Sequence, residues 1–166
     1  MEKVGVDEVE NAVQPAAVMK KLTAPLGLTD HAINSYELEP GDSFAFAYHS
    51  HEIQEEVVYV MEGTATFDTE QGPVEVAAGE LIRFDREELQ RGWNRGDERV
   101  TALALGAPLD YGRMPRLREC ADCGEETDSD LDRRTVDGES VVVATCTVCG
   151  GETGRWYRGS MDGTVP

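Results

Sequence analysis

Two histidines and a glutamate carry the strongest chemical signal in the chain. They lie in the run Tyr48-His49-Ser50-His51-Glu52-Ile53-Gln54-Glu55-Glu56. In a strand, residues two apart leave the same face, so the imidazoles of His49 and His51 point one way. Four residues then turn the chain, and Glu56 opens a second strand. The inward face of that strand carries Glu56, Val58 and Val60, while Val57, Tyr59 and Met61 point away. Two adjacent antiparallel strands can bring both imidazoles and the carboxylate to one point. Such a set leaves coordination positions open and suits Fe(II), Mn or Ni better than a closed structural zinc. A solvated strand edge is the alternative, but burying these three groups on one face is costly unless something pairs them.

The second cluster is Cys120-x-x-Cys123-Gly124 and Cys146-x-x-Cys149-Gly150, two knuckles separated by 22 residues. A two-residue gap lets both sulfurs of a knuckle face one ion, which points to a Zn2+ site of four thiolates. Between the knuckles, Arg133–Val136, Asp137-Gly138 and Glu139–Thr145 read as a hairpin, Asp-Gly being a favoured two-residue turn. Gly154–Arg158 reads as a third strand. The segment resembles a zinc ribbon over 117–160. With so few apolar side chains it needs the ion to fold; disulfide or redox chemistry fits the paired spacing less well.

The elements that must position these groups follow from the turn signals. Short alternating apolar runs end at Glu39-Pro40-Gly41-Asp42, Glu62-Gly63, Gln71-Gly72, Ala78-Gly79-Glu80 and Arg95-Gly96-Asp97. Short strands at that spacing indicate a sandwich or barrel. They are expected at Ile33–Glu37, Phe44–His51, Glu56–Met61, Thr64–Thr69, Val74–Ala77, Leu81–Asp85, Gln90–Asn94 and Val100–Leu105. Among the first thirty residues, Val4–Val6 and Met19–Thr23 read as strands and Asp7–Val13 as a helical turn. Residues 108–116, with Pro108, Gly112 and Pro115, read as a linker. On the strand reading, Ala45 and Ala47 face inward beside the histidines. Phe44, Phe46 and Tyr48 then pack between sheets or in a dimer interface, not around a ligand. Arg91 reads as a surface ion pair, with contact to an anionic substrate as the alternative, His31 as a surface histidine and Glu55 as solvated.

Here the residues resemble the cupin superfamily. Its first motif, H-x-H, three or four residues, Glu, six residues, Gly, is matched by His49, His51, Glu56 and Gly63. Ser43 stands where that motif has a glycine. The second motif is kept in spacing from Gly79 but carries Asp85 for proline, Glu87 for glycine and Gln90 for histidine, with Asn94 retained. The resemblance covers about residues 30–107. It implies an all-β chain: a cupin-type jelly-roll barrel over 1–107 followed by a small zinc-ribbon module, with any metal inside the barrel. It also implies that His49, His51 and Glu56 hold a divalent transition metal (Fe, Mn, Ni or Zn). Gln90 could complete the sphere, hydrogen-bond a metal-bound water, or do neither.

Composition narrows the function classes. The 166 residues carry 33 acidic and 15 basic side chains, a formal charge of -18, and only Lys3, Lys20 and Lys21 are lysines. That balance resembles proteins of salt-loaded cytoplasms such as those of halophilic archaea, where the charge serves solubility. From 115 to 166 there are 6 basic and 11 acidic residues, a net of -5, which disfavours nucleic acid as the ribbon's partner and leaves a protein contact or a structural appendage. No apolar run is long enough for a membrane span, so a cytoplasmic protein is expected. Two functions remain: a binding or regulatory module for metal or a small ligand, and a mononuclear-metal enzyme, dioxygenase or isomerase, on a small oxygenated substrate. The resemblance adds a homodimer as the expected assembly.

Overall fold

The computed structural model describes residues 1–157; the end of the third ribbon strand expected at Arg158 lies outside them. After a 3-10 turn at Val6–Glu8 the regular elements among the described residues are all strands. The barrel strands are β1 (Val18–Lys21), β2 (Ala32–Leu38), β3 (Tyr48–His49), β4 (Glu55–Glu62), β5 (Thr64–Thr69), β6 (Val74–Ala77), β7 (Leu81–Phe84), β8 (Gln90–Trp93) and β9 (Val100–Ala107). Four more carry the cysteines: β10 (Arg116–Cys120), β11 (Glu125–Val136), β12 (Glu139–Cys146) and β13 (Glu152–Tyr157).

These strands form two sheets, one in the order β1-β2-β9-β4-β7 and the other β13-β12-β11-β10-β3-β8-β5-β6. Alternation decides which side chains lie between them. Val58 and Val60 of β4 and Val100, Ala102 and Ala104 of β9 are buried, with their sequence neighbours more exposed. They meet Leu38, Phe44, Phe67 and Phe84 in one core. A second core joins Val142, Ala144 and Trp156 to Val13, with Phe46 and Leu131 packed against it. Among the described residues no helix is long and apolar enough to cross a membrane.

Two expectations need correction. Phe44–His51 is not one strand, because only Tyr48 and His49 enter the ladder and Phe44–Ala47 is a series of bends. The cause is Ser43. Its hydroxyl donates to the Ala45 and Gly92 carbonyls at 2.8 and 3.0 Å, alternatives for the one proton, and a side chain bonded two residues along curls the backbone out of the pleat. Val4–Val6 is likewise not a strand, since Val6 begins the 3-10 turn. In the cysteine segment the Asp137-Gly138 turn forms as read. Both residues have positive φ, 51° and 87°, and Val136 pairs with Glu139 across them.

The cysteine segment does not hang free of the barrel. β10 pairs antiparallel with β3, Arg116 opposite His49 and Leu117 opposite Tyr48. Arg118 donates Nε to the Thr153 carbonyl at 2.7 Å and Nη1 to the Phe46 carbonyl, with its guanidinium 4.8 Å from the Trp156 ring centroid. Strand Tyr48–His49 is therefore bordered by Gln90 of β8 on one side and by β10 on the other.

Candidate metal centre and its cavity

His49 sits in β3 opposite Gln90, and Glu56 sits in β4 opposite Gly106 and Phe84. His51 follows β3 on a loop strapped to residues 111–113, where Glu52 N donates to the Arg113 carbonyl at 3.0 Å and Arg113 N to the Glu52 carboxylate at 2.8 Å. One donor atom from each of His49, His51 and Glu56 lies within 4.8 Å of the others. Donors about 2.1 Å from one ion stand about 3 Å apart at right angles and about 4.2 Å when opposed, so a small closure would seat an ion.

Hydrogen bonds on the far side of each ring decide which nitrogen faces inward. His49 Nδ1 donates to the Ala47 carbonyl at 3.1 Å, leaving Nε2 unprotonated as an acceptor. His51 Nδ1 meets Gln54 Oε1 at 2.6 Å, and Gln54 Nε2 donates to the Pro108 carbonyl at 2.6 Å. The Pro108 bond fixes the amide, so Oε1 must accept from His51 Nδ1–H and the His51 Nε2 is also unprotonated. Metal-bound imidazoles are commonly held through the other ring nitrogen in this way. Gln54 fits because residue 106 is glycine; a Cβ there would lie 2.5 Å from the Gln54 amide. Gly106→Ala is expected to push Gln54 off His51 and weaken divalent-metal binding in the barrel by about 10- to 100-fold with zinc in the cysteine cluster unchanged. Equilibrium dialysis measures both; unchanged barrel affinity would remove Gln54 from the site.

Burial sets the charge states. It pushes the His49 pKa down to about 4, with the neighbouring His51 adding to the effect, and it lowers His51 as well. It raises the Glu56 carboxyl to about 7, partly offset by the Gln90 amide. All three groups are short of the opposite charge or the solvent they would have outside, and a bound cation would supply it to the carboxylate while taking the two lone pairs.

Gln90 is buried at the centre of the set. Its Nε2 donates to Glu56 Oε2 at 2.8 Å and lies 3.3 Å from His49 Nε2. The amide thus touches two of the three donors and would have to turn to offer its oxygen to an ion. Glu87, in the glycine position of the second motif, has φ 63° and donates its N–H to the His51 carbonyl at 2.8 Å. The left-handed conformation that favours glycine persists without it.

The four cysteines meet at the other cluster. Sγ separations are 3.5 Å for Cys120–Cys149 and 3.8 Å for Cys123–Cys146, and all four lie within 4.8 Å. A disulfide needs about 2.05 Å, whereas sulfurs about 2.3 Å from one tetrahedral zinc stand about 3.8 Å apart. The Thr127 hydroxyl, 3.1 Å from Cys146 Sγ, favours the thiolate there.

A cavity of about 380 Å³ opens on the His–Glu cluster. Its walls include Tyr36, Phe44, Phe67 and Ala104 from the barrel and Tyr111 and Arg116 from beyond it. Ala45 and Ala47 line it as read, but Phe44 and Phe46 line it too, since the bends at 44–47 cancel the strand parity. Arg91 makes no surface ion pair among the described residues. It lies 3.9 Å over the Trp93 ring, donates to Ser43, and burial lowers its pKa to about 9. His31 is exposed, and Glu55 is exposed and paired with Arg83. Gln54 and Arg116 were not legible as site residues: one lies in the gap of the motif, the other at the end of a proline-rich segment.

Two sheets folded around a cavity, with two imidazoles and one carboxylate converging on it, define a jelly-roll barrel with a metal-capable interior. Residues 34–106 match the family described as cupin domain. Solved structures agree. A candidate sugar phosphate isomerase from Acidithiobacillus ferrooxidans is 31% identical with a TM-score of 0.51, covering 57% of this chain and 64% of that one, so the chain spans less than two thirds of it. A cupin-superfamily sugar phosphate isomerase from Silicibacter pomeroyi is 23% identical, TM-score 0.58, covering 87% of both. A polyketide cyclase from Streptomyces resistomycificus is 24% identical, TM-score 0.59, covering 74% of this chain and 89% of that one. No curated protein matches the sequence significantly. The matched segment is similar to cupin domains, and the solved structures share the barrel fold.

Proposed function

We propose that the barrel is a metal-dependent small-molecule site, with a divalent transition metal held by His49, His51 and Glu56 and a ligand taken into the adjoining cavity. The carrying observation is the pair of far-side hydrogen bonds that occupy Nδ1 of both rings and leave both Nε2 atoms unprotonated, in a set where one donor atom from each ring and from Glu56 lies within 4.8 Å of the others. Such a metal supplies Lewis acidity, or redox capacity in the case of iron, at its open positions. The chain's own part is to orient the imidazoles through Ala47 and Gln54, to keep the carboxylate out of water, and to wall the ligand with aromatic side chains. Zinc in the four-cysteine cluster is structural on this reading, and the cysteine segment is a zinc ribbon docked on the barrel.

The enzyme reading, isomerase or dioxygenase, is favoured by one feature: the open side of the donor set faces a cavity large enough for a substrate. The isomerase form gains support from the 31% identity to a protein described as a candidate sugar phosphate isomerase. Aldose–ketose interconversion and oxygen uptake over diols and catechols, measured on Mn- and Fe(II)-loaded protein, separate binder from enzyme. Turnover abolished in Glu56→Gln establishes the enzyme; ligand binding without turnover establishes the binding module.

A further inference from the structure

Arg116 is a cation placed where this chain has little reason to put one. With 33 acidic side chains available, Arg83, Arg95, Arg99, Arg113, Arg134 and Arg155 pair with carboxylates, Arg91 and Arg118 donate to Ser43 and to backbone carbonyls, and Arg86 and Arg133 stand exposed to solvent. The guanidinium of Arg116 pairs with none among the described residues. The nearby carboxylate is already committed: Asp128 accepts the backbone N–H of Arg116 at 2.8 Å through Oδ1 and faces Arg113 at 3.6 Å through Oδ2. The register explains where the free fork goes. Arg116 stands directly opposite His49 in the β3–β10 ladder, and directly opposed residues put their side chains on one face of the sheet. The side chain is half-buried and lines the cavity that holds His49, His51 and Glu56. Lys21, exposed at the end of β1, lines the same cavity, and its ammonium has no carboxylate partner among the described residues either.

We propose that Arg116 is the anchor for the oxyanion of a small organic ligand, a carboxylate or a phosphate ester, whose other end reaches the barrel donors. A guanidinium presents donors in a planar fork that matches either oxyanion, and Lys21 adds a second positive charge at the rim. In a chain of net charge -18 this local reversal of sign is what admits an anion to the cavity at all. The consequence for the architecture is direct. The cysteine segment supplies a wall and a binding residue to the barrel, so the ribbon is part of the ligand site. This assignment rests on the small-molecule reading of the barrel.

The test uses the full chain loaded with Mn2+, titrated calorimetrically with glycolate and with glycerol 3-phosphate, and with glycerol as the neutral counterpart. Barrel metal is assayed in every sample, so loss of the metal site is distinguished from loss of the anchor. At least one oxyanion probe is expected to bind and glycerol not to. Arg116→Gln should weaken that binding tenfold or more, Arg116→Lys should restore part of it, and Arg86→Gln, an exposed arginine away from the cavity, should change nothing. Preference for glycolate or for glycerol 3-phosphate decides which oxyanion the site takes. Glycerol binding as well as glycerol 3-phosphate in the wild type overturns the proposal without any variant. So does full oxyanion affinity in metal-loaded Arg116→Gln, or no binding of either oxyanion to metal-loaded wild type.

Discussion

A Cys120→Ser, Cys149→Ser double variant is expected to lose the one zinc per chain that wild type should carry, and with it the order of both knuckles and of β10. Four thiols, two buried, one half-buried and Cys149 exposed, crowded to within 4.8 Å of one another have no other reason to converge. Zinc bound by such thiolates contributes on the order of 10 kcal/mol to folding the segment that holds it. The hairpin of β11 and β12 retains part of its protection, since Val142, Ala144 and Trp156 keep their core with Val13 and Phe46. The distinctive expectation lies in the barrel. β10 ends at Cys120 and begins opposite His49, so fraying it removes ladder bonds from the strand that carries His49 and frees Arg116 from the cavity wall. Hydrogen exchange should register loss of protection at residues 116–124 and 146–151 and a smaller loss at Tyr48–His49, with metal affinity in the barrel reduced. Full zinc content and unchanged exchange in the variant would overturn the ribbon assignment; loss of zinc with an unperturbed barrel would show the two sites to be independent.

What could be read from the residues alone depended on how local its physics is. The His-x-His spacing followed by Glu56 was legible because strand parity and a short turn are local, and Thr64–Thr69 and Val74–Ala77 form with the ends expected of them. The Asp137-Gly138 turn was legible for the same reason. The bends at Phe44–Ala47 were not, because the alternation there is ideal for a strand and only the Ser43 hydroxyl, bonding Gly92 in a distant strand, overrides it. Gln54 is a polar residue in a loop until the His51 ring and the Pro108 carbonyl are seen on either side of its amide. The Gly106 that makes room for it was a sequence clue of a kind, a glycine interrupting an apolar strand. Arg116 was hidden most completely. Two prolines made its surroundings read as linker, and the strand pairing that carries it to His49 joins residues far apart in the chain.

The barrel site itself should respond in opposite directions to two substitutions. His49→Ala removes the most buried of the three donors and leaves Glu56 and His51 with no third ligand, and barrel metal is expected to fall below detection while cysteine-bound zinc stays at one per chain. Gln90→His is expected to act the other way. In the present arrangement the Gln90 amide spends its N–H groups on Glu56 Oε2 and His49 Nε2, the same lone pairs an ion would use. Metal must therefore displace those bonds and turn the amide, and an amide oxygen is a weaker donor to transition metals than imidazole. A histidine at 90 springs from the strand position directly opposite His49 and has reach to the same point. Tightening of about tenfold or more is expected, measured as competition against a chelator of known affinity. The pair discriminates sharply. If Gln90→His leaves affinity unchanged while His49→Ala abolishes it, residue 90 lies outside the coordination sphere and the three-donor set stands alone. If His49→Ala leaves the barrel metal content as it was, the ion is bound elsewhere, and the convergence of His49, His51 and Glu56 is a hydrogen-bonded cluster closed by Gln90.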